Sequence, residues 1–155
     1  MALRNIVKVG DPILSKKSRP VEKFDDRLHT LLDDMKQTMY SANGVGLAAV
    51  QVGVLRRIVV LDCGDGYTEL INPEITERSG QQLEEEGCLS LPGESGVTLR
   101  PETVKLKAQD RNGKWHVYTA DGLKARCFCH ETDHLDGVLF TQRLAPKEML
   151  EQEQK

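Results

Sequence analysis

The chain has 155 residues, of which 29% are charged and 39% hydrophobic, and its formal net charge is -3 at pH 7. This length and balance predict a single folded domain over residues 1–155 and exclude intrinsic disorder. The mildly acidic charge excludes a broad nucleic-acid surface, and no apolar run approaches the roughly 20 residues of a membrane helix. Because the N-terminus lacks the apolar core of a signal peptide, we expect a cytoplasmic protein whose four cysteines are thiols or metal ligands.

The first predicted element is a helix from Phe24 to Ala42. Its apolar residues recur with a period of 3.6 and are expected in the core: Phe24, Leu28, Leu31, Leu32, Met35 and Met39. Asn43 and Gly44 follow, which is typical of a left-handed helix stop.

Strands are predicted next, from runs rich in β-branched and alternating apolar residues: Leu55–Asp62, Tyr67–Asn72, Thr103–Ala108 and Trp115–Thr119. Pro73 is expected to end the second strand, and Asn112-Gly113 predicts a hairpin turn between the last two. No regular alternation of strand and helix is visible. The order therefore indicates an α+β fold with a mainly antiparallel sheet.

A second helix is predicted over Gly122–Leu135, with Asp121 as its N-cap, and it carries the sequence His-Glu-Thr-Asp-His at residues 130–134. Residues i and i+4 of a helix lie on one face, so His130 and His134 can bind one metal ion, and Glu131 can reach a water beside it. The alternative interpretation is two structural histidines beside a surface glutamate. A short helix from Pro146 and a polar tail are expected over residues 146–155.

A catalytic metal needs a third protein ligand, and Cys88 is the best candidate because a thiolate binds borderline-soft divalent ions well. Cys127 lies three residues before His130 on the same helical face. We therefore expect its side chain to form part of the pocket wall, and the alternative is that it serves as an additional metal ligand. The position of the third histidine in the metzincin pattern holds Phe140. Other ligand candidates are weaker, because they lie beside the core stripe, on an edge strand or in the polar tail: His29, His116, Glu148, Glu151 and Glu153.

The glycine-rich stretch Gly44–Gln51 fits the letters of a dinucleotide-binding fingerprint. Its context does not fit, because a helix precedes it and a strand follows it. We interpret it as a glycine-relaxed strand whose backbone pairs with an extended ligand, with Gln51 as an amide donor.

Three segments together resemble the signature motifs of the peptide deformylase family, in the family's order. They are GVGLAAVQ at 44–51, EGCLS at 86–90 and HETDH at 130–134. Similar segments between them extend the resemblance over nearly the whole chain. It implies an α+β fold in which antiparallel sheets pack around the helix that carries HETDH.

The resemblance also implies roles for individual residues. The metal would be bound by Cys88, His130 and His134, with water as the fourth ligand. Catalysis would use Glu131 as the general acid and base, with Gln51 and the Leu89 N–H as the oxyanion hole. The backbone of Val45, Gly46 and Gly87 would pair with the substrate peptide, and Leu123 and Cys127 would also contact the substrate. Two positions depart from some members: Ser95 replaces a peptide-contacting arginine, and Arg126 replaces an apolar pocket residue.

The substrate implied by the resemblance is a nascent polypeptide that starts with N-formylmethionine, and formate is the product. One divalent ion per chain is implied, natively Fe²⁺, which Zn²⁺, Ni²⁺ or Co²⁺ can replace. We expect a bacterial, cytoplasmic monomer without nucleic-acid specificity or membrane attachment, and contact with the ribosome stays open. The alternatives are a general metallopeptidase and a metal-binding pseudoenzyme that lacks activity.

Overall fold

The apolar stripe near the N-terminus forms helix α1 (Asp26–Ser41) in the computed structural model, which describes residues 2–153. The helix begins two residues later than predicted, because the Asp25 carboxylate accepts a hydrogen bond from the Leu28 N–H at 3.1 Å and caps it. Asn43 has the expected left-handed conformation, with φ of 57°. Four residues of the stripe are buried and two are partly buried, so its assignment to the core is confirmed.

Antiparallel pairing joins all the strands of the described residues. Five form one sheet in the order β1-β2-β3-β6-β7, and β4 and β5 form a separate hairpin. The fold is therefore α+β, as predicted. The bounds of the strands are β1 (Gly46–Ala48), β2 (Ile58–Leu61), β3 (Thr68–Ser79), β4 (Gln82–Cys88), β5 (Leu91–Arg100), β6 (Thr103–Gln109) and β7 (Trp115–Asp121).

The prediction that Pro73 ends a strand is wrong, since β3 continues to Ser79. Asn72 has a φ of 52°, and the pairing of β3 with β6 shifts register between Ile71 and Glu74. Proline is tolerated at such a bulge because its missing N–H is not needed in the ladder there. The turn before β7 is also longer than predicted, because the Asp110 N–H donates to the Lys114 carbonyl and closes a wider loop. Of the two predicted turn residues, Gly113 has a positive φ and Asn112 does not.

Two further helices follow the strands, α2 (Gly122–Leu135) and α3 (Lys147–Glu153). Asp121 precedes α2 as predicted, but its side chain makes no capping hydrogen bond. The prediction for the last two residues of the polar tail lies outside the described residues. No helix within 2–153 combines the length and the apolar character that crossing a membrane would require.

The five-stranded sheet is covered by one helix on each face. Along β2, Val59 and Leu61 belong to the core cluster that contains Phe128 of α2, while Ile58 and Val60 belong to the cluster with α1. This period of two is that of a strand buried on both sides. The sheet is therefore the middle layer, and α2 is held against it by apolar packing.

Segments near both ends of the described residues make backbone hydrogen bonds to the hairpin β4–β5 or to the turn after β1. The Val7 N–H donates to the Gln51 carbonyl at 2.7 Å, and the Val9 N–H donates to the Ser90 carbonyl at 2.8 Å. At the other end, the Leu99 N–H of β5 donates to the Arg143 carbonyl at 3.1 Å. The hairpin β4–β5 is thus attached to the rest of the protein by backbone hydrogen bonds from both segments.

Candidate metal centre and active site

Three predicted ligand residues meet at one point although they come from different elements. His130 and His134 lie one turn apart on α2, and Cys88 is the last residue of β4. Their ligand atoms all lie within 4.8 Å of one another, and Cys88 Sγ is 3.4 Å from His134 Nε2. Zinc bond lengths in a tetrahedral site put a sulfur and a nitrogen ligand about 3.5 Å apart. The donor set and its spacing therefore fit one divalent metal ion.

Glu131 lies beside this cluster and is almost completely buried, with 3% of its surface exposed. Its Oε1 is 3.9 Å from His130 Nε2 and 4.0 Å from His134 Nε2, and it has no hydrogen-bond partner among the described residues. Burial raises the pKa of Glu131 to about 7. A carboxyl group with such a pKa can both accept and release a proton near neutral pH.

Strand β1 approaches Glu131 so closely that a side chain at position 46 would have to displace the Glu131 carboxylate. A Cβ on Gly46 would lie 2.5 Å from Glu131 Oε2. The Val45 carbonyl accepts from the Asp62 N–H, so the backbone of Val45 faces β2. Because backbone groups alternate between the two edges of a strand, those of Gly46 face the other edge, toward the metal cluster.

Gln51 holds the other side of the cluster, in a short 3-10 turn after β1. Its Oε1 accepts from the Ala48 N–H at 2.9 Å, and its Nε2 donates to Ser90 Oγ at 3.1 Å. The same nitrogen lies 3.6 Å from Cys88 Sγ. Leu89 follows Cys88 directly in the two-residue connection to β5, so its N–H is covalently placed next to the ligand sulfur.

A buried ionic network positions His130 and was not predicted from the sequence. Glu86 accepts a hydrogen bond from His130 Nδ1 at 2.9 Å and binds Arg100 through both of its carboxylate oxygens. Arg100 also contacts Asp133 of α2 at 2.6 Å. Burial raises the pKa of Glu86, but the hydrogen bonds from His130 and Arg100 outweigh it and lower the pKa to about 2. Only the position of Glu86 within the EGCLS motif could have indicated its role.

A cavity of about 370 Å³ opens beside the cluster. The side chains of Val45 and Leu123 are 49% and 44% exposed, which leaves apolar surface at its mouth. The aliphatic stem of Arg126 joins the wall, while its Nη1 donates to the Glu85 carbonyl at 3.2 Å. All five predicted substrate-binding residues line this cavity: Val45, Gly46, Gly87, Leu123 and Cys127.

The weaker ligand candidates lie elsewhere. His29 Nε2 is 2.8 Å from the Arg111 carbonyl oxygen, and His116 Nε2 is 2.8 Å from Asp110. Phe140 is buried and stacks on the His130 ring with an interplanar angle of 19°. Within residues 2–153, Cys88, His130 and His134 form the only cluster of this kind.

A cysteine and two histidines with metal-ligand spacing lie beside a buried glutamate at an open cavity, and this combination defines a metal-dependent hydrolase. A model of the family described as polypeptide deformylase matches residues 3–149. Peptide deformylase 1 of Clostridium acetobutylicum is 57% identical over 148 residues, which cover 96% of this chain and 99% of the relative. The chain belongs to the polypeptide deformylase family, so the family predicted from the three motifs is confirmed.

Solved structures agree with this assignment. Peptide deformylase from Thermotoga maritima superposes with a TM-score of 0.93 at 42% identity and covers 94% of this chain and 100% of that chain. The enzyme from Legionella pneumophila gives a TM-score of 0.90 at 44% identity, covering 99% of this chain and 93% of that chain. The chain is accordingly an enzyme, a hydrolase that acts on a formamide.

Proposed function

We propose that this chain removes the formyl group from nascent polypeptides that begin with N-formylmethionine, with the metal bound by Cys88, His130 and His134. The observation that carries the proposal is the meeting of these three ligand atoms within 4.8 Å beside the buried Glu131. When bound, a divalent ion supplies Lewis acidity, which acidifies water and polarises the formyl oxygen. All other steps belong to residues of the chain.

Glu131 acts as the proton carrier. With its pKa near 7, it takes a proton from the attacking water and then delivers this proton to the departing amine nitrogen. The charge that develops on the formyl oxygen is met by the Leu89 N–H and by the Gln51 amide. Oxyanion donors of this kind each contribute about 10²–10³ in kcat.

The substrate backbone lies between two glycines. The free edge of Gly46 on β1 and the backbone of Gly87 on β4 pair with an extended peptide, as in strand addition. The methionine side chain enters the cavity, where Leu123, Cys127 and the stem of Arg126 form its wall. This arrangement places the formyl carbon next to the metal ligands.

The metal is Fe²⁺ in the native enzyme, and Zn²⁺, Ni²⁺ or Co²⁺ can replace it, since a thiolate and two imidazoles accept several divalent ions. Nascent chains are made in the cytoplasm, and the bacterial cytoplasm is therefore where we propose that the enzyme acts. We further propose that it acts as a monomer. Residues 1–155 act as one catalytic domain, and none of residues 146–153 lines the cavity.

The test is formate release from a formyl-Met peptide, measured beside cleavage of the same peptide without its formyl group. Protein purified without oxygen is expected to contain about one divalent ion per chain and to act on the formylated peptide alone. Glu131→Gln is expected to keep the metal and to lose at least about 10²-fold in kcat, whereas the exposed Glu148→Gln serves as the unaffected control.

Two results would contradict the proposal. Cleavage of the unformylated peptide at a similar rate would indicate a general metallopeptidase. Full metal content without any formate release would indicate a pseudoenzyme.

A further inference from the structure

Two cysteine side chains lie side by side next to the cavity, and the reaction described above does not use their sulfur chemistry. The thiols of Cys63 and Cys127 are close enough to share a hydrogen bond. Both are free thiols; Cys127 is buried and lines the cavity, whereas Cys63 is only partly buried. Adjacent thiols of which one is accessible to solvent have the arrangement of a site for reversible oxidation.

The loop that carries Cys63 is held against α2. This loop, residues 62–67, connects β2 to β3. Lys124 Nζ on α2 lies 2.8 Å from Asp65 Oδ2 in the loop. Cys127 follows Lys124 by three residues, so the two side chains lie on the same face of α2. The ion pair therefore keeps the loop on the face of the helix that presents the Cys127 thiol.

The shared hydrogen bond gives the two thiols different reactivity. The Cys127 thiol donates to the Cys63 sulfur, which lowers the pKa of Cys63 although burial acts in the opposite direction. The same hydrogen bond, together with burial, raises the pKa of Cys127. Because the thiolate is the nucleophile, Cys63 is the thiol that attacks an oxidant, and Cys127 stays protonated beside it. This is the relation of a reactive cysteine to its resolving partner.

We propose that Cys63 and Cys127 form a reversible disulfide when the protein meets hydrogen peroxide. The Cys63 thiolate attacks one peroxide oxygen, the O–O bond breaks, and hydroxide leaves and takes up the proton that Cys63 released on ionisation. The Cys127 sulfur then attacks the sulfur of this sulfenic acid, the S–S bond forms, and the hydroxyl group leaves as water with the Cys127 proton. Two thiols thus lose two electrons, and the peroxide is reduced to two water molecules.

The disulfide would change the wall of the cavity. Its two sulfurs lie about 2 Å apart, which is closer than two thiols in hydrogen-bonding contact. The Cys127 sulfur therefore moves toward the loop and away from the wall that the proposed methionine side chain contacts. Because the metal ligands and Glu131 take no part in the bond, oxidation should raise KM and change kcat little. Loss of one apolar contact in such a pocket corresponds to about a tenfold rise in KM.

The experiment uses enzyme loaded with Zn²⁺, which has no redox chemistry of its own. The protein is treated with hydrogen peroxide, its remaining thiols are alkylated, and it is digested without reductant for mass spectrometry. We expect one cross-linked pair of peptides that joins Cys63 to Cys127, together with the rise in KM for a formyl-Met peptide. Dithiothreitol should reverse both, whereas it does not reduce sulfinic or sulfonic acids.

Cys63→Ser should keep the KM of the untreated enzyme, since Cys63 does not line the cavity, and this KM should not respond to peroxide. Cys129→Ala is the matched control, because it removes a buried thiol of the same helix and should leave the cross-link intact.

Absence of the cross-linked peptide, or its formation with another cysteine, would overturn the disulfide. An equal rise in KM in Cys63→Ser, or a disulfide without any rise, would overturn its effect on the cavity. Only this effect on the cavity rests on the proposed function. If no peptide released formate, that function and the KM effect would fail, whereas the cross-link would still be decided by mass spectrometry.

Discussion

The Glu131 carboxylate occupies space that is open only because residue 46 of β1 is a glycine and has no side chain. A methyl group at position 46 would lie 2.5 Å from Glu131 Oε2, which is inside the contact distance of real atoms. Gly46→Ala is therefore expected to displace the carboxylate. Since a misplacement of about 1 Å can cost about 10²-fold in rate, we expect a loss of that order in kcat. Steady-state assays with metal analysis test this, and wild-type turnover by a normally metallated variant would contradict it.

Glu86 determines how His130 presents its ring to the metal. Its carboxylate accepts from Nδ1, which leaves Nε2 facing Cys88 and His134. Removing such a partner of a metal ligand typically costs about 10–100-fold in metal affinity. We expect Glu86→Gln to weaken metal binding by this factor, measured by competition with a chelator.

Asp133→Asn is the control for this variant. It also removes a partner of Arg100, but it makes no contact with the His130 ring in the structure. Both variants are expected to lower the free energy of unfolding, and only Glu86→Gln should lower metal affinity. An equal loss of metal affinity in both variants would contradict a specific role for Glu86, because the effect would then come from the whole ionic network.

The N-terminal segment that contains Ala2 and Arg4 is attached to α1 mainly through one carboxylate. Asp34 has a side chain only 7% exposed; it accepts from the Ala2 N–H at 2.8 Å and pairs with Arg4 at 3.0 Å. These contacts, first the hydrogen bond from Ala2 and then Arg4, outweigh burial and lower the pKa of Asp34.

Because the pKa of Asp34 is lowered in the folded protein, we expect the free energy of unfolding to depend on pH. Its contribution is fully present above the unfolded pKa of about 3.9 and is lost as the pH falls through the lower, folded value. Asp34→Asn is expected to reduce the free energy of unfolding at pH 7 by about 1–2 kcal/mol. In urea unfolding, the difference from wild type should shrink below pH 4. A difference that is the same at pH 7 and pH 3 would contradict this.

The helices could be predicted from the sequence because their signals are local. The apolar period of α1 and the spacing of His130 and His134 on α2 need no knowledge of the rest of the fold. The hairpin β4–β5 gave no comparable signal, since its strands contain glutamate, glycine and proline in place of alternating apolar residues.

The same distinction holds within the site. Two ligands follow from helix geometry, whereas Cys88 was only the best of several candidates on chemical grounds, because its approach depends on long-range packing. The family motifs then assigned it. The interaction of Glu86 with Arg100 and Asp133 joins three distant segments, so no spacing in the sequence indicates it.

At the scale of the whole molecule, the metal site connects two sheets. Cys88 belongs to the hairpin, whereas His130 and His134 belong to the helix packed on the five-stranded sheet. A bound ion therefore stabilises the folded state in addition to its chemistry. At 100 times the dissociation constant, binding contributes about 2.7 kcal/mol.

This contribution corresponds to an increase of about 5–10 °C in the Tm of a chain of this size. We expect a chelator to lower the Tm by this amount and added metal to restore it, as measured by thermal unfolding. Cys88→Ser should show a much smaller shift, because it loses the ligand on the hairpin side. An identical shift in wild type and variant would contradict a link through Cys88.

The hydrogen bonds from Val7 to Gln51 and from Val9 to Ser90 use main-chain atoms alone. Substitutions at the exposed Val9, other than proline, would leave both hydrogen bonds intact, so this side chain is free to diverge during evolution while the path of the chain must persist. Val7 is more constrained, because its side chain also packs against the core. Limited proteolysis after residue 9, in contrast, would detach this stretch and remove the hydrogen bonds. It would inactivate the enzyme without altering any residue that touches the substrate.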